Sequence, residues 1–596
     1  MNFWKPSLAF CLRSVQLIAL AKSSNAQLIL PKRIPPSTNA MAYNQEGMEP
    51  SLDYTITLLF ERDGVAEAFH VQVTLWPALE AHDILLSTPI EITKVDVGHF
   101  ENKQVVATDD DGPLELVREV ENYGPPIVNQ KWRVTRPTKG PVTATYKALP
   151  RQVNDSTKNA PSFDLRQNFG GIPGSGLGFL AAPPPGAQLY NTTIRWNLSD
   201  SPPGTRAIWT WGEGSAPITK RLDVMDLEST YFMVGNVHSF TKGEFGVYWL
   251  GSPPFNTTEI ASKLLQMFHR MSTIFKDNEP TYRVFIRHNP FRGSMAGTAL
   301  KRSFMFSYDN HDFAHPRSFE DYVLFLTHEC VHNWIALDAA VWDNWYTAGM
   351  AEYYSLLLSH RADFLTNENL RREINKRLTM YYTNPLVKLS NKEASKLTWK
   401  ISDAQRLPYG RGLAFALQVN ALIQNATGQE NSLDDLVLSI LELDRAKQPY
   451  GVPEYLRELG SLLGSETQAQ ALYDQMSSGT LVVPPPDGLA MFGFKLVRED
   501  APLWELGFDE YQALQGERII AGLVPDSAAE KSGLVNGDRI LNEIVLDDVR
   551  CDVEGVLKLE IQRKGSEILY FAYVPRGKAL VQRWIYADNS QNFDEL

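Results

Sequence analysis

Between about residues 51 and 248, apolar and polar positions alternate in short runs. Tyr54-Thr55-Ile56-Thr57-Leu58-Leu59-Phe60 and Phe69-His70-Val71-Gln72-Val73-Thr74-Leu75 are examples. A period of two places alternate side chains on opposite faces of a pleated strand, so these runs predict a mainly β domain. A polar, Pro-containing leader occupies 27–50 before it. Within the β region, Gly170-Gly171-Ile172-Pro173-Gly174-Ser175-Gly176-Leu177-Gly178 has the glycine density of a phosphate loop. No strand-to-helix context with a downstream acid accompanies it and Pro183-Pro184-Pro185 follow, so it reads as a Gly/Pro loop.

From about Thr258 the period changes to that of a helix. Residues 260–275, 319–337, 348–365 and 413–422 carry apolar side chains at helical spacing, which predicts a mainly helical domain over 249–480. A linker at Pro484-Pro485-Pro486 leads to a strand-rich, Gly-punctuated region over 487–580, and 581–596 reads as a tail. The architecture expected is therefore α+β and multidomain.

A hydrophobic content of 43% supports true cores, and a formal net charge of -13 argues against nucleic acid or an anionic membrane as the main partner. Lys5 followed by an apolar stretch from Leu8 to Ala21, with Ser24-Asn25-Ala26 before Gln27, has the form of a cleaved secretory signal over 1–26. No later run reaches the roughly 18 apolar residues of a membrane span. Asn-x-Ser/Thr sequons at Asn154, Asn191, Asn197, Asn256 and Asn425 fit a secreted or ER-lumenal glycoprotein. Phe593-Asp594-Glu595-Leu596 differs from the ER-retrieval tetrapeptide only at its first position. Cys11, Cys330 and Cys551 are too few and too scattered for a disulfide framework.

The chemistry concentrates in Thr327-His328-Glu329-Cys330-Val331-His332-Asn333-Trp334. Ser318 with Asp321 three residues later marks a helix start, and Phe319, Tyr322, Val323, Leu326 and Trp334 form an apolar stripe. On that helix His328 and His332 project from one face, one turn apart. This is the geometry a zinc ion takes from two imidazoles, with Glu329 placed to accept a proton from a metal-bound water. Cys330 falls on another side and reads as a small core residue.

A second pattern follows the linker. Glu505-Leu506-Gly507-Phe508 precedes Val524-Pro525-Asp526-Ser527-Ala528-Ala529, then Ser532-Gly533-Leu534 and Gly537-Asp538-Arg539-Ile540. This resembles a PDZ domain. Backbone N–H groups of Leu506, Gly507 and Phe508 would receive a peptide C-terminus, and an adjoining strand edge would accept the peptide by β-addition.

Together, a β-rich N-terminal domain, a His-Glu-x-x-His helical domain and a PDZ-like module resemble the PDZ-containing glycyl aminopeptidase family of zinc peptidases, which are thermolysin-like gluzincins. The resemblance spans about residues 51 to 580. Trp334 stands at the family's tryptophan position, and Trp345-Tyr346-Thr347-Ala348-Gly349-Met350-Ala351-Glu352-Tyr353-Tyr354 resembles its Trp-x-x-Glu-Gly-x-x-x-Tyr-Tyr helix start. Asn431-Ser432-Leu433-Asp434-Asp435 matches a helix start, and Tyr409-Gly410-Arg411-Gly412 lies where a tyrosine joins the site. The resemblance implies one zinc ion, peptide hydrolysis, and Tyr409 as hydrogen-bond donor to the oxyanion.

Two positions depart from the family. The third zinc ligand would be a glutamate where this chain has Ala348, and the glutamate that holds a substrate ammonium would be at Ala296, in Gly293-Ser294-Met295-Ala296-Gly297. Glu352, one turn beyond Ala348, is a substitute ligand to consider, displaced about 5–6 Å along the helix. Asp343 reads as a solvated loop acid. Three functions follow: a divergent secretory-pathway zinc metallopeptidase, a repurposed enzyme acting on a small molecule in the same cleft, or an inactive peptide-binding relative. Losing the glutamate at 296 argues against strict aminopeptidase activity.

Overall fold

The computed structural model describes residues 49–61, 64–92, 95–122, 127–154, 157, 161–291, 296–310, 312, 317–398, 400–514, 517–565 and 567–589. The signal expected over 1–26, nearly all of the leader, Gly293-Ser294-Met295 and the terminal Phe593-Asp594-Glu595-Leu596 lie outside the described residues. The fold is α+β, with a β-rich N-terminal region and a helical middle. The described residues form two compact units, one built from 49–152 together with Phe163–His238, the other from Ser239 onward with a short segment within 153–162.

In the first unit, β1 (Ser51–Phe60) pairs antiparallel with β2 (Ala66–Trp76) and parallel with Tyr190–Asn197. The alternation read from the sequence is the reason. Phe69, Val71, Val73 and Leu75 of β2 turn into the core while His70 and Gln72 face outward. The glycine-rich stretch differs from the loop expected. Residues Ile172–Ser175 form a buried strand, β3, paired antiparallel with β4 (Tyr231–Gly235). Glycine serves close approach here: a Cβ on Gly174 would stand 2.6 Å from a Leu165 methyl and one on Gly176 2.7 Å from the Glu228 carbonyl oxygen.

The second unit opens with a sheet in which β5 (Phe245–Trp249), β6 (Tyr282–Asn289) and β8 (Ser303–Asp309) run parallel, and β7 (Ala296–Leu300) adds antiparallel to β8 at the edge. Helix α1 (Thr257–Ile274) begins at an Asn256 cap and packs between sheet and motif helix. Then come α2 (Phe319–Val331), α3 (Trp345–Arg361), α4 (Asn367–Tyr382) and the 25-residue α5 (Ser402–Ala426). Helix α5 carries Pro408 inside its first two turns and runs through both the expected helix and the tyrosine segment.

Beyond the linker, β9 (Phe494–Trp504) pairs with β12 (Arg576–Asp588), so residues 581–588 complete a ribbon where a tail was expected. Asn375 of α4 fixes that ribbon by exchanging two hydrogen bonds with the Tyr586 backbone. Between the ribbon strands, β10 (Leu557–Gln562), β11 (Ile568–Tyr573) and Arg539–Ile540 make a three-stranded sheet around its own small core.

Candidate active site

Helix α2 starts as its sequence predicts: Ser318 and Asp321 form a reciprocal capping box. It is not amphipathic, since every residue from Tyr322 to Val331 is buried. It ends at His332, short of the stripe that extends to Leu337. The chain turns there, Trp334 N bonding Val331 O at 2.9 Å, and Trp334 Nε1 donates to Asp277 Oδ2 at 2.6 Å. Stacked on Phe275 at 5.3 Å between ring centroids, Trp334 is a structural anchor for the end of the motif.

The two imidazoles meet. His328 Nε2 and His332 Nε2 are 3.3 Å apart with ring planes at 79°. Two bonds of about 2.0–2.1 Å at a tetrahedral metal would hold nitrogens roughly 3.3 Å apart, so the pair has the bite of two ligands on one ion. Burial keeps both rings neutral: His332 is pulled down to about 4, and His328 further, with His332 and the Arg377 guanidinium adding to the effect. Neutral imidazole is the form that can ligate.

Glu352 does not reach that side. Its Oε1 lies 3.6 Å from His328 Nδ1, the nitrogen facing away from His332, and its Oε2 accepts from Arg377 Nε at 2.6 Å. Arg377 is held in turn by Glu373, at 2.9 Å. Burial pushes the Glu352 carboxyl up while Arg377 works to keep it ionised; Glu352 and Glu373 together more than offset the burial that would discharge Arg377. Glu352 therefore lies behind His328, on the side away from the paired Nε2 atoms. Ala348, one turn earlier on α3 and buried, offers only a methyl group.

For zinc the test on the donor set is therefore divided. The histidine pair fits, but a catalytic site takes three protein ligands. Among the described residues no group of three His, Cys, Asp or Glu side chains converges to hold a metal. The set falls one ligand short. Asp343 does not fill the place either. Far from being solvated, it is buried and accepts from Tyr473 Oη at 2.8 Å and Trp345 Nε1 at 3.3 Å.

Glu329 is fully buried beside the pair, and β7 runs across its carboxyl. A Cβ on Gly297 would stand 2.3 Å from Glu329 Cδ, so only glycine permits that approach. Ala296, the preceding residue, is buried and brings no charge. Tyr409 reaches the site because α3 and α5 cross in backbone contact: a Cβ on Gly349 would stand 2.2 Å from Gly412 Cα. That crossing stacks Tyr409 over His328, centroids 6.2 Å apart and planes 19° from parallel. Cys330 faces the other way, buried, its thiol pushed up to about 12 by burial.

Sequence reasoning missed Arg377, Glu373 and the two glycines of the crossing. The signal for Arg377 was present: it sits on the stripe Leu370, Ile374, Leu378, Tyr381, where an unpaired cation would be prohibitive. Tyr409 and Glu352 also line a small pocket to which the C-terminal region contributes Asp547 and Cys551.

In that region Leu506 and Phe508 are buried and Gly507 has φ 89°, the left-handed turn a loop of this kind requires. The carbonyls are engaged internally, Leu506 O by Tyr573 Oη at 2.7 Å and Gly507 O by Val524 N at 2.7 Å. A helical turn, Glu510–Leu514, follows the loop. Of the sequons, Asn154, Asn197, Asn256 and Asn425 are exposed and Asn191 is half-buried.

No family model matches the sequence, and no curated protein matches it. Solved structures do. An aminopeptidase N family protein of Idiomarina loihiensis superposes with a TM-score of 0.63 at 14% identity, covering 90% of this chain and 98% of that one. The likeness is one of fold. An M1 zinc metallopeptidase of Deinococcus radiodurans bound to a Tyr-Ser-Ala substrate gives 0.47 at 16% identity, covering 75% of this chain and 97% of that one. Yeast leukotriene A4 hydrolase gives 0.45 at 11%, covering 72% and 67%. These last two superpose too loosely to bear on the fold.

Proposed function

We propose that this protein is a divergent metallopeptidase-like hydrolase in which Glu329 takes the proton from the attacking water and Tyr409 donates a hydrogen bond to the developing oxyanion. One observation carries the reading: His328 Nε2 and His332 Nε2 face each other at 3.3 Å, with Glu352 behind His328 and Glu329 between them in sequence. The fold shared with an aminopeptidase N family protein supports it. No step is assigned to zinc, because the ligand set is one short. Without a carboxylate at Ala296 to pair with an ammonium, the substrate would be a peptide with a blocked or internal amino group. Kinship with the PDZ-containing glycyl aminopeptidases, a secretory route and glycosylation at the sequons belong to the same proposal. They are supported respectively by the loop around Gly507, by the signal-like start, and by the exposure of four of the five sequon asparagines.

A second reading, a repurposed enzyme acting on a small molecule, is favoured by one further observation: the small pocket beside Tyr409 is lined in part by the C-terminal region. One experiment tests both. Hydrolysis of a library of blocked peptides should fall at least a hundredfold in Glu329→Gln, the scale of a lost general base. Turnover unchanged in that variant would remove Glu329 from the mechanism; turnover confined to non-peptide esters or amides would select the second reading.

A further inference from the structure

The Nε2 atoms of His328 and His332, 3.3 Å apart, suit either a shared ion or a direct N–H···N hydrogen bond. What each ring meets through its other nitrogen separates the two. A neutral imidazole carries a single proton, on Nδ1 or on Nε2. Ligating an ion through Nε2 puts that proton on Nδ1, and a ligating histidine almost always donates it to a carboxylate, a carbonyl or a water.

His328 has a carboxylate on that side, with Glu352 Oε1 3.6 Å from its Nδ1. His332 has nothing comparable. Its Nδ1 is buried and meets no hydrogen-bond partner among the described residues. A proton there would be a buried donor left unmet, which is costly. Carried on Nε2 instead, the same proton lies in the contact with His328 Nε2, which accepts it, and only a lone pair is left at Nδ1.

Charge argues the same way. Glu352 is committed to Arg377 at 2.6 Å, and Glu373 to Arg377 at 2.9 Å and Lys376 at 2.6 Å. These two carboxylates and two cations balance among themselves, and buried Ala348 adds no anion where the family has one. Zinc on the pair would set two positive charges against Glu329 alone, in a buried place where unbalanced charge is costly.

We infer that His328 and His332 bind each other in place of zinc: His332 Nε2–H donates to His328 Nε2, and His328 keeps its own proton on Nδ1, on the side of Glu352. The inference rests on the proposed site and specifies its chemistry, with Glu329 acting as a base on a water that no metal activates.

Two measurements on the full chain test it, and the first needs no variant. Protein equilibrated with excess zinc and then desalted should retain far less than the one ion per chain of a catalytic site. Long-range proton–nitrogen spectra of protein labelled with ¹⁵N-histidine report which ring nitrogen carries each proton. They should show His332 protonated on Nε2 and His328 on Nδ1, the signals identified by their loss in His332→Gln and His328→Gln, and added zinc should leave both unmoved. One zinc retained per chain, both rings protonated on Nδ1, or joint movement of the two signals with zinc overturns the inference. Hydrolysis of blocked peptides that resists chelators and is lost in Glu329→Gln supports the pair and the hydrolase reading together. A zinc-free pair in a protein that hydrolyses nothing would refute the hydrolase reading and leave the pair standing; zinc retained in an active protein would do the reverse.

Discussion

At the scale of single residues, two side chains decide what the motif can do. His332 is neutral because it is buried, and that ties stability to pH. Above about pH 6.5 folded and unfolded chains both hold it neutral. As pH falls towards 4 the unfolded chain takes up a proton that the folded protein refuses, so stability is lost across that window. The loss should approach roughly 3 kcal/mol, with His328 adding in the same sense. Urea unfolding of chelator-treated protein at pH 7.5 and 4.5 should show it, and His332→Gln should flatten the dependence; an unchanged slope in that variant would exclude His332 as its source. Ala348 is the other residue. Ala348→Glu places a carboxylate one turn before Glu352 on the face that meets His328, and should tighten zinc binding at least tenfold in chelator competition. Equal affinities would mean that residue 348 does not face the histidine pair.

Among elements, the crossing of α3 and α5 sets the site. An exposed helical Gly→Ala change normally gains up to about 1 kcal/mol. Gly412→Ala should do the reverse, because its Cβ would stand 2.1 Å from the Trp345 carbonyl oxygen. Overpacking of this kind costs about 1–3 kcal/mol, and the displaced helix carries Tyr409 with it. Chemical denaturation should show the destabilisation and hydrolysis should fall with it; a stabilised, fully active variant would contradict the close crossing. The element period was legible in sequence: α1, α2, β1 and β2 fall where spacing put them. Element ends were not. Helix α2 stops at His332 because Trp334 finds Asp277 and Phe275, and α5 runs through Pro408 because its packed length outweighs one lost hydrogen bond.

At the scale of the chain from Ser239 onward, the C-terminal region is bound to the helical domain through Arg550. It is buried, lies over Trp504, and pairs with Asp403 of α5, with Glu510 and with Asp547. Removing one partner of such a network leaves buried charges uncompensated. Arg550→Met should cost about 3–5 kcal/mol, read by thermal or chemical unfolding, and should loosen the wall formed by Asp547 and Cys551. A neutral effect would show the region to be independent of the pocket. The sequence by itself determined the address of the site, because a period of 3.6 fixes His328 and His332 on one face whatever surrounds them. It also determined that Ala348 and Ala296 bring no charge, since residue type is enough for that. Only the tertiary structure decided where Glu352 points, one oxygen on the Nδ1 side of His328 and the other on an arginine 25 residues away. It alone lined a pocket with residues from beyond the linker. Local spacing sets which face a side chain occupies; which partner it meets there depends on how distant elements pack.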